Sequence, residues 1–170
     1  MIRLLGAVLL ALGGLGAGLT AVGRLTGRVQ DLRGLESAVE ALERELGWRL
    51  APLPEALGRA AEGTTGRTAR LLRLCAGEAS ALKGRPFRQV WTECVSAAQL
   101  CLEREDAAIL EELGSVLGRY DGDSQLRALE RAAARLARQR EKAEERRERL
   151  GRLYGILGAF GGLLLVIILL

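Results

Sequence analysis

Two uncharged runs at the ends of the chain constrain its fold more than any other feature. Leu4 to Val22 gives 19 consecutive residues without charge, and Leu153 to Leu170 gives 18. All 21 acidic residues and 24 of the 25 basic ones fall in the 130 residues between. A helix rises about 1.5 Å per residue, so about 20 apolar residues cross a ~30 Å hydrocarbon core. Lipid also demands that every backbone polar group be bonded within the segment, which a helix achieves. The expected organisation is an N-terminal transmembrane helix (1–23), a cytoplasmic helical bundle with a charged stalk (24–152) and a C-terminal transmembrane helix (153–170). The first run, bracketed by Arg3 and Arg24, also has the basic start and apolar stretch of a cleaved signal peptide. Its length, and the lack of a clear cleavage signature after it, favour an anchor.

Basic flanks give the orientation. Arg24, Arg28 and Arg33 follow the first run, and Arg138, Arg140, Lys142, Arg146, Arg147, Arg149 and Arg152 precede the second. Only Arg3 and the amino terminus lie on the other side. The positive-inside bias places the centre in the cytoplasm and both termini outside, with no exported domain expected beyond Leu170. Gly14 and Gly18, and Gly158 and Gly162, have the small-xxx-small spacing that lets membrane helices approach closely. Glycine is also simply frequent in such helices, and both readings stand.

The centre offers little chemistry. There is no histidine, which removes Ser-His-Asp and Cys-His catalysis and His-ligated metals. Aromatic residues at 4% are too few for a base-stacking surface. The pI of about 9.4 comes from the membrane-flanking basic residues, which suit anionic lipid better than nucleic acid. Cys75, Cys94 and Cys101 lack Cys-x-x-Cys spacing and read as small buried hydrophobes. Glu103, Glu105 and Asp106, like Glu111 and Glu112, read as solvated helix faces rather than acid–base pairs. Gly13 to Gly18 is no nucleotide loop, because no strand precedes it and no Gly-Lys-Ser/Thr follows. No catalytic, metal-binding or cofactor-binding residue is identified, and no enzyme is expected.

Periodicity makes the centre all-α, a bundle of about five to six helices without a sheet. Leu32, Leu35, Val39, Leu42, Leu46 and Leu50 fall at steps of three and four on one helical face. Pro52 and Pro54 stop that helix, and a short one follows over Glu55 to Ala61. A third helix turns Leu71, Leu72, Cys75, Ala79 and Leu82 inward. A fourth carries Phe87, Val90, Trp91, Cys94, Val95, Ala98 and Cys101, and a fifth Leu110, Leu113, Val116, Leu117 and Tyr120. Asp121 or Asp123 caps the last helix, which has Leu126, Leu129, Ala133 and Leu136 at heptad-like spacing. Trp48 and Trp91 read as core or interface anchors. From Arg138 to Arg149 ten of twelve residues are charged. No breaker follows them, so this helix is expected to continue into the second uncharged run. The charged stretch is either a solvated stalk held by i,i+4 pairs or a docking surface.

The order of these features resembles the stage III sporulation protein AB family along the whole chain. The resemblance is carried by Arg3-Leu4-Leu5-Gly6-Ala7-Val8-Leu9-Leu10, Leu32-Arg33-Gly34-Leu35-Glu36-Ser37-Ala38-Val39 and Leu42-Glu43-Arg44-Glu45-Leu46. It continues in Pro52-Leu53-Pro54-Glu55-Ala56-Leu57, the helix around Val90-Trp91, and Leu117-Gly118-Arg119-Tyr120-Asp121 with Gln125. It ends in the tail from Leu157-Gly158-Ala159-Phe160-Gly161-Gly162 to Leu170. The Pro-Leu-Pro-Glu and Leu-Gly-x-x-Asp-x-x-x-Gln pieces are the most specific.

The resemblance implies a non-catalytic platform in the channel assembly between mother cell and forespore. That platform would sit in the mother-cell membrane, among sporulation channel proteins, and dock a cytoplasmic secretion-type ATPase. The family's helical domain is similar to the inner-membrane platform of type II secretion and type IV pilus machines, and the ATPase follows by that analogy. A pilus or secretion platform, or a small membrane-bound signalling protein or enzyme, is the alternative. Pro52, Pro54 and Glu55, and Gly118, Asp121 and Gln125, would shape turns and caps. Arg140, Glu141, Arg146 and Arg147 are the candidate partner or lipid contact.

Overall fold

The apolar steps after Val29 belong to a helix that starts much earlier than their own periodicity indicates. In the computed structural model, α1 spans Ile2–Gly47 without a break, and α6 spans Gly122–Leu169. Between them lie α2 (Leu53–Glu62), α3 (Gly66–Ser80), α4 (Phe87–Ala98) and α5 (Arg104–Val116). The structure describes the backbone of residues 2–82, 84–118 and 121–169, and side chains within 23–153 of these. Those residues form six helices and no strand. Gly14, Gly18, Gly158, Gly162 and Tyr120 fall outside the described side chains. Among the described residues no helix is long and apolar enough to cross a membrane. Residues 4–22 and 154–170 of the two uncharged runs fall outside the described side chains.

Each helix contacts the next in sequence, and α6 closes the ring on α1. The α1 face of Val29, Leu32, Leu35, Ala38, Val39 and Leu42 is buried, at the 3.6-residue period that makes a helix amphipathic. It meets Ala128, Leu129, Ala132, Leu136 and Ala143 of α6 in one core. The alanines keep the two helix backbones close. Fully burying each large aliphatic side chain contributes about 1.5–3 kcal/mol. The α1–α6 pair is antiparallel, with Arg33 bonded to Glu144 and Glu36 to Arg140. Further along, a Cβ on Gly47 would lie 3.0 Å from Leu126. This register sets Gly23 level with Leu153, so both uncharged runs leave the bundle at the same end.

Close approaches fix the other helices. A Cβ on Gly34 would fall 2.7 Å from the Thr68 hydroxyl, where α3 crosses α1. A Cβ on Gly114 would fall 2.1 Å from Trp91 Cδ1, so α5 needs glycine where the indole lies on it. The Trp91 indole N–H donates to the Leu110 carbonyl at 2.8 Å. Phe87 lies beside it, ring centroids 6.1 Å apart and tilted by 43°.

Several boundaries differ from expectation. The first helix ends at Gly47, so Trp48 and Leu50 leave its buried face. Trp48 is 88% exposed and Leu50 81% exposed, the latter in the left-handed region at φ 50°. Neither is a core anchor. The fourth helix ends at Ala98, because Gln99 adopts a left-handed conformation. Cys101 therefore sits in the following loop rather than on the helix.

Candidate functional site

The charged residues gather where α1, α5 and α6 meet the loop after α4. Glu103 is the N-cap of α5 and Asp106 its N3 residue, a capping box in which each side chain accepts from the other's backbone N–H. Asp106 is fully buried. It also accepts from Arg28 Nε at 2.7 Å and Nη2 at 2.9 Å, a bidentate pair across 78 residues. Hydrogen bonding to Asp106 holds the Arg28 guanidinium above its ordinary pKa, against the opposing effect of its own burial. The Glu103 carboxylate takes the remaining Arg28 nitrogen at 2.9 Å and Arg146 at 3.1 Å. Asp106 is thus a buried anion rather than part of a solvated face. Arg28, counted above among the basic membrane flanks, is spent inside the fold.

Two more anions fasten α1. Asp31, buried, accepts the Cys101 backbone N–H at 2.7 Å and pairs with Arg67 at 3.1 Å. This ties both the loop after α4 and the start of α3 to α1. Glu144 lies between Arg33 and Arg140, at 2.8 and 3.1 Å. The Arg33 hydrogen bond, then that of Arg140, holds its carboxyl below the usual range. Arg140 also reaches Glu36 at 2.7 Å. With Ala143 fully buried beneath it, this stretch is docked along α1 and is not a free-standing stalk.

The expected contact residues therefore separate. Arg140 is committed to Glu36 and Glu144, Arg146 is exposed and bridges to Glu103, Glu141 is exposed, and Arg147 is half-buried. The expected turn residues come together instead. Pro52 precedes α2, and its carbonyl accepts the Glu55 and Ala56 N–H groups, both at 3.0 Å. Pro54 stands in the first turn, where its missing N–H costs nothing. Glu55 pairs with Arg59 one turn on. Gly118, at φ 82°, donates its N–H to the Gln125 side chain at 3.3 Å. Gln125 in turn donates its backbone N–H to the Asp121 carbonyl at 3.2 Å. Asp121 accepts from the Ser124 hydroxyl, and this bond, with the backbone N–H groups of Ser124 and Asp123, depresses its pKa. A Cβ on Gly118 would lie 3.0 Å from Phe87 and 3.5 Å from Leu53, so the Pro-Leu-Pro-Glu and Leu-Gly pieces meet in space.

Among the described residues no group of three or more His, Cys, Asp or Glu side chains could hold a metal ion. Cys75 and Cys94 are buried in mutual contact, and burial pushes both thiols up. Cys101 is half-buried. A thiol reagent near neutral pH is expected to modify Cys101 first and to reach Cys75 only on unfolding, because the thiolate is the reactive form. Mass-resolved labelling against denaturant reads this order.

The geometry defines an all-helical scaffold: a six-helix ring closed by a long antiparallel pair and stitched by ion pairs where two uncharged runs depart. The chain belongs to the stage III sporulation protein AB family, whose model matches residues 3–170. It is 26% identical over 176 residues to Stage III sporulation protein AB of Bacillus subtilis (strain 168), covering 99% of both chains. A solved structure of a Stage III sporulation protein AB shares the fold. It matches with a TM-score of 0.65 at 21% identity, over 71% of this chain and 96% of that one.

Proposed function

We propose that this protein is a non-catalytic membrane platform in the sporulation assembly between mother cell and forespore. Both ends anchor it in the mother-cell membrane, with termini outside, and the bundle holds a cytoplasmic secretion-type ATPase. The observation that carries this reading is the α1–α6 register, which sends both uncharged runs out of one end of the bundle. The opposite end presents Trp48 and Leu50 to solvent. Two large apolar side chains held outward, one on a left-handed backbone, suit a protein contact better than a core. The ATPase contact therefore lies at this tip, about 36 Å along α1 from Gly23 at 1.5 Å per residue.

The test is co-purification of the full chain in detergent with the ATPase. Trp48→Ser with Leu50→Ser is expected to weaken capture at least tenfold, while Arg146→Glu with Arg147→Glu leaves it unchanged. The opposite pattern would return the contact to the charged stretch. No capture of the ATPase by the wild-type chain would sink the docking role.

A further inference from the structure

We propose that the cleft between the bundle ends of α1 and α6 binds the phosphate headgroup of an anionic phospholipid. This rests on the membrane reading above and gives the charged end a ligand of its own. The cleft has a volume of ≈ 800 Å³, and Arg24, Arg28 and Arg146 line it with Leu25, Leu102 and Leu150. A second hollow of ≈ 510 Å³ adjoins it across the Glu103–Arg146 bridge, where Lys142 and Arg149 are balanced by Glu105 and Glu145.

Charge bookkeeping within the cleft points to an anion. Arg28 is neutralised by buried Asp106, and Glu103 alone stands between Arg28 and Arg146. Arg24 has no ion-pair partner among the described residues and gives the cleft its surplus positive charge. A phosphate would complete what Glu103 begins, receiving charge-assisted hydrogen bonds from Arg24 and Arg146.

The apolar wall distinguishes a lipid from a free anion. Leu25 is two residues from Gly23 and Leu150 three from Leu153, the level at which both uncharged runs start. A headgroup held by the arginines would lay its glycerol and first methylenes on these leucines. Long basic side chains at this depth, near a negatively charged leaflet, are the recurring chemistry of lipid headgroup sites.

The test uses the full chain, delipidated in neutral detergent, and the binding of fluorescent phosphatidylglycerol, with phosphatidylcholine and inorganic phosphate as comparisons. Phosphatidylglycerol should bind at least tenfold more tightly than phosphatidylcholine. Arg24→Gln with Arg146→Gln should remove most of that preference, at about fivefold per arginine. Arg70→Gln with Arg73→Gln, on exposed parts of α3, should not. Glu103→Gln keeps the cap, frees Arg146 and removes the one carboxylate lining the cleft, so it should tighten binding, a gain that misfolding cannot produce. Equal binding of the two lipids, an unchanged Arg24→Gln/Arg146→Gln protein, or competition by inorganic phosphate at equal affinity would overturn the lipid site. Insertion into vesicles, followed by flotation, separates the two ideas. A chain that inserts but shows no headgroup preference loses only this site, whereas one that does not insert loses both.

Discussion

Replacing Asp106 with alanine is expected to destabilise the bundle by about 3–5 kcal/mol, the cost of leaving a buried charge without its partner. Arg28 would keep the half-exposed Glu103 and a long hydrogen bond to Gln139, and α5 would lose the N3 half of its capping box. Denaturant unfolding followed by circular dichroism gives the magnitude. The informative companion is Arg28→Met with Asp106→Leu, which removes both charges and fills similar volume. It still loses the N3 half of the cap, so it is expected to lie within about 2 kcal/mol of the wild type, because desolvating an ion pair offsets most of its attraction. If the double replacement is as damaging as Asp106→Ala, the pair contributes net stability and desolvation is not the deciding effect.

The contact of Trp91 with Gly114 should give an effect of similar size by a different route. Trp91→Ala empties the centre of the α4–α5 interface and is expected to cost about 3–5 kcal/mol. Gly114→Ala leaves the indole in place but puts a methyl group where it lies, at a cost of about 1–3 kcal/mol. The two should not add. In the double variant the Gly114→Ala methyl group enters space that Trp91 has vacated, so the measured loss falls below the sum of the single losses. Additive losses would mean that α5 moves away from the indole at little cost.

Much of the fold is legible because short-range rules govern it. The α1 face from Leu32 to Leu42 shows in the three-and-four spacing, and Pro52 and Pro54 mark the α2 start as proline's fixed φ requires. Asp121 and Asp123 both show as N-cap candidates by residue type, and α6 starts at Gly122, directly after the first of them. The helix ends are harder to read. Leu46 and Leu50 extend the apolar rhythm past Gly47, yet the chain leaves the helix there, and Leu50 points to solvent. Nothing near Gln99 signals an end to α4, because a left-handed glutamine has no sequence mark comparable to glycine.

The electrostatic site was least legible, for a physical reason. Asp106 looks like any acidic residue on a polar helix face, and its burial depends on Arg28, 78 residues away. One local clue was available: Glu103 and Asp106 stand at capping-box spacing, which ties both to a helix start rather than to a solvated face. Arg33, Glu36, Arg140 and Glu144 likewise form a cross-helix ladder only once the α1–α6 register is known. Charge counting along the chain treats such groups as free when the fold has already matched them.

The absence of any break in α1 or α6 as they pass from the ion-pair ladder toward the uncharged runs has a mechanical consequence. A hinge needs residues that can absorb a change in backbone angle, and an unbroken helix supplies few. The bundle therefore behaves as a rigid spacer between the tip at Trp48 and Leu50 and the end where both uncharged runs leave. A torque applied at that tip would pass down two parallel rods rather than dissipate in a linker. Inserting glycines after both Gly23 and Arg152 would convert the spacer into a tether.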